Sequence, residues 1–233
     1  MAGIEIVRLV SLRVNMRANE PYLLTEDRIV CTLSPFRVQL LAGQIAKIQE
    51  YIRLLLKWNQ TVSLTSVMDP AEILSRHFGE SMFICCLMPV ENCRLADLGS
   101  GAGFPGLALK IACPGLRLTL IESNKKKCVF LSEVVRALEL DNVEVMPIRF
   151  EEVRISPDFA EVVTARAVGG FPDILRWAKA ALARRGHVIL WLGREDSTKV
   201  SSTPGWIWKP AVKIPESQRR FVLIGRPRPE ENP

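Results

Sequence analysis

The 233 residues carry 48% hydrophobic and 24% charged side chains, an ordinary globular balance that excludes a disordered or collagen-like chain. The net charge of +6 at pH 7 is a mild pointer to a polyanionic partner and no more than that. No run of apolar residues is long enough to read as a membrane-spanning helix.

The six cysteines (Cys31, Cys85, Cys86, Cys93, Cys113 and Cys128) contain no C-x-x-C pair, and His77 and His187 stand at no ligand spacing. That pattern is expected of reduced thiols packed as small apolar groups in a cytoplasmic protein, without a metal. Residues 1–34 show no convincing periodicity. Arg8, Arg13 and Arg17 dot an apolar stretch that Glu5 and Glu20 interrupt, which fits neither a secretory signal nor a transit peptide, and we read it as an N-terminal extension. Ser34-Pro35 is expected to start a helix in which Leu41, Ile45, Ile48, Ile52 and Leu55 recur at helical spacing as far as Trp58-Asn59. Tyr51 and Trp58 on it are ordinary core aromatics in the commoner reading and base-stacking platforms in the rarer one. Asp69-Pro70-Ala71-Glu72 is a capping box with proline at the first helical position. The helix it opens runs through Ile73, Leu74, His77, Phe78 and Met82, and a lone histidine on such a face is more often a core residue than a catalyst. Residues 35–90 thus read as a helical cap.

From residue 94 the pattern alternates. Strands are expected over 94–98, 117–122, 142–146, 161–165 and 187–191, with helices over 104–112, 125–138 and 171–182. Such alternation predicts a parallel sheet covered on both faces. The segments 206–212 and 220–224 have no helix between them and predict an antiparallel hairpin at the sheet edge. The fold class is therefore α/β and Rossmann-like, with a core over 91–225, an antiparallel edge strand and a flexible tail over 226–233.

The chemistry gathers at Asp97-Leu98-Gly99-Ser100-Gly101-Ala102-Gly103-Phe104-Pro105-Gly106. A strand leads in, glycines turn the chain, and a helix follows. Glycine tolerates positive φ and lets a ligand approach the backbone, and the turn is expected to aim free N–H groups at a flat or anionic group. The second strand ends in Glu122, placed to hold a ribose hydroxyl pair. Two cofactors compete. Gly101-x-Gly103-x-x-Gly106 satisfies the dinucleotide fingerprint literally, but a lone match is weak. S-adenosylmethionine is the other: Asp97 would then lie near its cationic methionine end, whereas beside a pyrophosphate the same acid would repel. That placement favours the methyl donor. Ligands of open α/β sheets lie beyond the carboxyl ends of the strands. Gly99, Gly101 and Gly103 would there pass the backbone close to the carboxypropyl chain, with Ser123 beside Glu122. Phe150 and Glu151 would meet the adenine, and Arg166 would face the transfer site. Lys125, Lys126 and Lys127 are candidate phosphate contacts for RNA, with the tail cations Lys209, Lys213, Arg219, Arg220, Arg226 and Arg228 set against Glu216 alone.

These motifs resemble the small-subunit ribosomal RNA methyltransferase G family, also called the glucose-inhibited division B family, from about Tyr51 to about Ile224. Besides the glycine stretch, Tyr51, Trp58-Asn59 and Leu64-Thr65 match a family pattern, as do Arg76-His77-Phe78 with Ser81, the Arg166-Ala167 pair, and Gln218-Arg219-Arg220. The resemblance implies S-adenosylmethionine-dependent methylation of N7 of a guanosine in 16S ribosomal RNA. It puts Gly99, Phe104, Phe150, Glu151 and Arg166 at positions that hold the methyl donor. Ser63 stands where the family has Asn, Glu80 where it has Asp, and Leu192-Gly193 where it tends to have Lys-Gly, which leaves Arg194 as the nearby cation. Guanine N7 has an in-plane lone pair and no proton, so its methylation needs alignment and no general base. That agrees with a sequence lacking an evident acid–base pair, and Thr164-Ala165-Arg166-Ala167 is not the Pro-Pro motif of adenine N6 methylation. The alternatives left open are a small-molecule methyltransferase, an NAD-linked oxidoreductase or dinucleotide-binding protein, and a ligand-binding protein without catalysis.

Overall fold

The computed structural model describes residues 24–156, 158–166 and 169–229. Among them, helix α1 (Glu26–Leu33) opens with Thr25 as N-cap and buries Ile29 and Leu33. It falls inside the stretch that shows no sequence periodicity. A two-turn helix with two core positions offers too few repeats to reveal a period. Residues 1–23 of the proposed extension, with Glu5 and Glu20, lie outside the described residues.

The long helix does not begin at Ser34-Pro35. Those residues form one 3-10 turn, Ser34–Phe36, which Arg37 ends at φ 56. Helix α2 (Ala42–Asn59) starts later, where the Gln44 side chain accepts from the Leu41 N–H at 2.7 Å. Asp69 caps the next helix through the Glu72 N–H, with Pro70 behind it, but the expected capping box is only half formed, since the Glu72 side chain pairs with Arg76 at 2.6 Å. That helix is not uniform. Its first turn α3 (Pro70–Ile73) passes into a π-helical segment, Leu74–Gly79, and returns to α-helix as α4 (Glu80–Met82). Widened turns of this kind displace backbone carbonyls and are frequent at functional sites.

The strands are β1 (Arg94–Leu98), β2 (Arg117–Ile121), β3 (Val143–Met146), β4 (Ala160–Arg166), β5 (Leu182–Gly193), β6 (Trp206–Trp208), β7 (Val212–Lys213) and β8 (Arg220–Pro227). Between them lie α5 (Gly106–Ala112), α6 (Lys125–Ala137), α7 (Phe171–Ala181) and α8 (Arg194–Ser201). They form one sheet in the order β3-β2-β1-β4-β5-β8-β6, with β7 also on β8. The first five strands pair in parallel, and β8 runs antiparallel to β5, β6 and β7. The hairpin expected at the edge is therefore split by Pro210, and its antiparallel strand stands one place in from β6. Pairing with β6 carries β8 through Arg226 and Pro227, into the stretch expected as a tail.

Successive strand residues face opposite sides, and the core divides accordingly. Leu95, Leu118, Leu120, Val162, Ile189 and Trp191 pack on one face with α1, α2, α5 and α6. Ala96, Leu98, Val163, Ala165, Leu190 and Leu192 pack on the other with α7 and α8. The N-terminal helices thus share one apolar core with the sheet, and they meet it beside the glycine turn. No helix among the described residues is long and apolar enough to cross a membrane.

Candidate active site

Strand β1 ends where crossovers run to opposite sides, since its neighbours are β2 and β4. A crevice opens at such a switch point. The cleft here has a volume of about 240 Å³ and is bordered by Gly99–Ala102, Phe104, Glu122, Lys127 and Arg166, with Leu64, Thr65 and His77 from the helical layer. Sequence positions far apart thus meet at one place.

The glycine turn is built as its composition requires. Gly99, Gly101 and Gly103 have φ of 65°, 56° and 88°, the left-handed region open to glycine. Gly106 serves closeness instead, since a Cβ there would stand 2.9 Å from Asp97 Oδ2. The turn does not hold out a row of free N–H groups, contrary to expectation. Gly99 and Ser100 donate to the Ile121 carbonyl, Gly103 and Phe104 to that of Ser100, and Gly101 to Glu122 Oε2 at 2.9 Å.

Asp97 also departs from its expected position. Its side chain is fully buried and does not border the cleft. It accepts from Thr164 Oγ1 at 2.7 Å and from the Gly106 N–H at 3.2 Å, which makes it the internal acceptor at the start of α5. Burial pushes its carboxyl up to about 7, against the hydrogen bonds from Thr164 and Gly106. The consequence for the cofactor is unchanged. The position a pyrophosphate takes at a helix N-terminus is already filled by the Asp97 carboxyl group.

Glu122 borders the cleft as the strand-end acid should. Its Oε2 bonds Gly101 and its Oε1 accepts from the Asn124 N–H at 2.8 Å. A carboxylate has about four acceptor positions, so lone pairs remain for a ligand. Lys127, half-buried on the first turn of α6, faces the same space. Ser123, Lys125 and Lys126 are exposed beside it. Asn124 caps this turn, which holds three lysines and no acid.

Arg166 leaves the end of β4 and enters the π-helical segment. Its Nη2 donates to the Arg76 carbonyl at 2.7 Å and to Glu80 Oε2 at 3.1 Å, and its Nη1 to Ser81 Oγ at 3.1 Å. Burial lowers its pKa to about 10, so it stays charged. Glu80 is 2% exposed and is shared, since Arg220 Nη2 reaches its other oxygen at 2.5 Å. Arg220, expected as an RNA contact, is paired with a buried carboxylate while its own side chain stays 36% exposed. Arg219 beside it is exposed. Trp191 Nε1–H donates to the Glu80 carbonyl at 2.8 Å, a third tie from the sheet to this turn.

Residues of the helical layer complete the cleft, and sequence reasoning assigned them no place there. Asn59 folds the chain back by accepting from the Leu64 and Thr65 N–H groups at 2.8 and 3.0 Å. Thr65 Oγ1 then lies 2.8 Å from His77 Nε2. The His77 ring stacks on Phe104 with centroids 4.9 Å apart. Burial lowers its pKa to about 3, with Arg166, Arg76 and Arg220 acting the same way, so the imidazole is neutral. The available signal was the spacing of Asn59, Thr65 and His77, which has meaning only once the loop is closed. Phe104 also stacks on Tyr51 at 5.3 Å and meets Phe78 edge-on at 5.1 Å. Tyr51 and the half-buried Trp58 are packing residues, in line with their commoner reading.

Other predicted residues lie outside the cleft lining. Gly103 is packed beneath Tyr51 and Leu107. Phe150 lies in a 3-10 turn after β3, edge-on to Trp177 at 6.5 Å, and Glu151 next to it is exposed. Leu192 is buried in the core, and Arg194 stands over the Phe221 ring at 5.3 Å. Lys209, Lys213, Arg226 and Arg228 are exposed. Ala167 and Val168 fall outside the described residues. Among the described residues no group of three or more His, Cys, Asp or Glu side chains could hold a metal.

Comparison with known proteins agrees with this geometry. The fold resembles a SAM dependent methyltransferase from Aquifex aeolicus, with a TM-score of 0.56 at 14% identity over 67% of this chain and 93% of that one. It also resembles a ribosomal protein L11 methylase from Lactobacillus delbrueckii subsp. bulgaricus, with a TM-score of 0.54 at 14% identity over 66% and 79%. Likeness at that identity bears on the fold alone. In sequence, the chain is 32% identical over 85% of its length to the ribosomal RNA small subunit methyltransferase G of Photobacterium profundum, covering 97% of that protein. It is 37% identical over 76% of its length to the protein of that name from Xylella fastidiosa, covering 84% of it. The family model for rRNA small subunit methyltransferase G matches residues 44–207. That span runs from the first turn of α2 to β6 and contains every residue bordering the cleft, and the chain belongs to the rRNA small subunit methyltransferase G family.

Proposed function

We propose that this chain binds S-adenosylmethionine in the cleft and transfers its methyl group to N7 of a guanine in the 16S RNA of the small ribosomal subunit. The observation that carries the reading is the meeting of the glycine turn, Glu122 and Arg166 in one cleft of a chain whose family is methyltransferase G.

The residues present fit this group better than a dinucleotide. The start of α5 already holds Asp97, and the acid that borders the space is Glu122. Glu122 would accept from the ribose hydroxyls with the lone pairs its two backbone bonds leave free. Gly99 and Gly101 would pass beside the methionine portion, and Phe104 would supply an apolar wall. Phe150, Glu151 and Ser123 would have to reach the adenine from the cleft margin. Asp97 and Gly103 act behind the turn, fixing its shape. The bound cofactor supplies an electrophilic methyl on sulfur.

What the protein adds is position. Arg166 is fixed by two carbonyls of the π-helical segment, those of Arg76 and His77, and by the Glu80 and Ser81 side chains of α4, so its guanidinium can act as a rigid wall against which the acceptor base is oriented. His77, neutral and held by Thr65, offers polar contact without a charge. The nitrogen that attacks carries no proton, so no base is needed. Lys125 and Lys126 are cations at the positive end of a helix, a placement that lowers stability and that an RNA phosphate would offset.

The test is transfer of a labelled methyl from S-adenosylmethionine to unmethylated small subunits, followed by nucleoside analysis. We expect 7-methylguanosine, and none after Arg166→Ala with the fold retained. Calorimetry with S-adenosylhomocysteine and NAD is the companion experiment. Binding of NAD alone would overturn the reading.

A further inference from the structure

Cys85 lies in the 3-10 turn Phe83–Cys86, directly after the helix that carries Arg76, His77 and Glu80. Cys113 is the C-cap of α5, the helix whose first residue, Gly106, is seated on Asp97. These two thiols are 28 residues apart in sequence, yet their sulfurs lie 3.7 Å from each other in hydrogen-bond contact. Cys85 is exposed and Cys113 is buried. Cys31 is exposed on α1, and the three remaining thiols are engaged elsewhere. Cys86 donates to the Phe83 carbonyl at 3.1 Å, Cys93 to that of Val90 at 3.0 Å, and Cys128 to that of Glu122 at 3.1 Å. Gln44 ties the end of α5 to α2 by donating to the Ile111 and Ala112 carbonyls at 2.8 and 3.0 Å, which holds Cys113 in place.

We propose that Cys85 and Cys113 form an oxidative modification site, a reversible disulfide produced by hydrogen peroxide or an organic hydroperoxide. One thiol attacks the peroxide: its S–O bond forms as the O–O bond breaks, and the product is a sulfenic acid and one water (an alcohol from an organic hydroperoxide). The second sulfur then attacks the first. The S–S bond forms, the S–O bond breaks, and the second water leaves with the remaining thiol proton. Two thiols are oxidised by two electrons and one peroxide is reduced. Low-molecular-weight thiols reverse the step by exchange at the exposed Cys85 sulfur.

Either sulfur can donate in this contact, so the crosslink needs only that the two sulfurs meet, with Cys85 open to solvent. The crosslink joins the turn that follows the Arg166-binding helix to the far end of the helix under the glycine turn. It closes a loop that is open in the reduced chain, and so restricts the unfolded state.

The test uses the full chain, reduced and then exposed to hydrogen peroxide in modest excess. Intact mass should fall by two hydrogens, peptide mapping after alkylation should recover a Cys85–Cys113 crosslink, and dithiothreitol should restore the mass. The thermal midpoint should rise on oxidation. Cys85→Ser should abolish both changes, and Cys86→Ser should leave both in place. A crosslink through Cys86 or Cys93, oxygen addition without a crosslink, or no change in mass would each overturn the proposal. None of these readouts depends on methyl transfer, so failure here leaves the proposed activity standing.

Discussion

The Tyr51 hydroxyl donates to the Ala102 carbonyl at 2.6 Å, joining the middle of α2 to the glycine turn through a fully buried bond. The same ring stacks on Phe104 two residues on. The shape of the turn thus rests on a residue of the N-terminal helical layer. Tyr51→Phe leaves the Ala102 carbonyl buried and unpaired, which costs about 1–3 kcal/mol. Urea unfolding should report that loss. Calorimetry should show weaker S-adenosylhomocysteine binding than the stability change alone would produce. Unchanged affinity at reduced stability would mean that the turn holds its shape without Tyr51.

Glu80 holds two guanidiniums from the sheet, those of Arg166 and Arg220. Glu80→Gln removes the carboxylate that both share; Arg166 keeps its carbonyl and Ser81 contacts and Arg220 is partly exposed, so the loss should fall below the roughly 3–5 kcal/mol typical of breaking a buried ion pair, read by urea unfolding. Arg166→Lys is milder for stability because Glu80 keeps Arg220. It should still lose methyl transfer, since an ammonium cannot reproduce contacts with the Arg76 and His77 carbonyls, Ser81 and Glu80 together. Methyl transfer by Arg166→Lys at the wild-type rate would remove Arg166 from the transfer site.

His77 and Asp97 give opposite pH dependences. Unfolded His77 takes up a proton near 6.5 and the folded form only near 3, so acidification across that window favours unfolding. Folded Asp97 takes up its proton near 7, and the unfolded carboxyl only near the ordinary value of about 3.9, so acidification there favours folding. Each effect is worth about 1.4 kcal/mol per pH unit, and the two cancel between about pH 4 and 6.5. Urea midpoints should therefore rise on acidification in His77→Asn and fall in Asp97→Asn, relative to the wild type. Parallel profiles in all three proteins would contradict both shifts.

The turn glycines are not equivalent. Gly101 has φ 56 and open space around it, so Gly101→Ala meets only the left-handed penalty of about 1–2 kcal/mol. Gly103 has φ 88, and a Cβ there would strike the Tyr51 hydroxyl and stand 2.7 Å from Leu107 Cδ1. Chemical denaturation should rank Gly103→Ala well below Gly101→Ala.

The lysines of α6 separate stability from RNA binding. Replacing Lys125 with Glu puts an acid at the N-terminal turn, and should raise stability by about 0.3–1 kcal/mol. The same change should weaken RNA binding and flatten its salt dependence. A salt slope equal to that of the wild type would exclude Lys125 as a phosphate contact.

The local pattern by itself determined the alternating strands and helices, the helix cap at Asp69, the glycine turn and the strand-end Glu122. Each rests on neighbours in sequence: periodicity, a cap three residues from its N–H, or a backbone that only glycine adopts. Tertiary structure decided what distant residues do to one another. Asp97 turned inward because Thr164, adjacent in register on β4, and the start of α5 offered it donors in a fully buried site. Arg220 went to Glu80 because the antiparallel return of β8 along β5 carries it to the start of α4, 140 residues from its partner in the chain. His77 and Thr65 reached the cleft only through the loop that Asn59 closes. A charge finds its counter-charge in the folded chain through space, and sequence spacing carries no record of that distance.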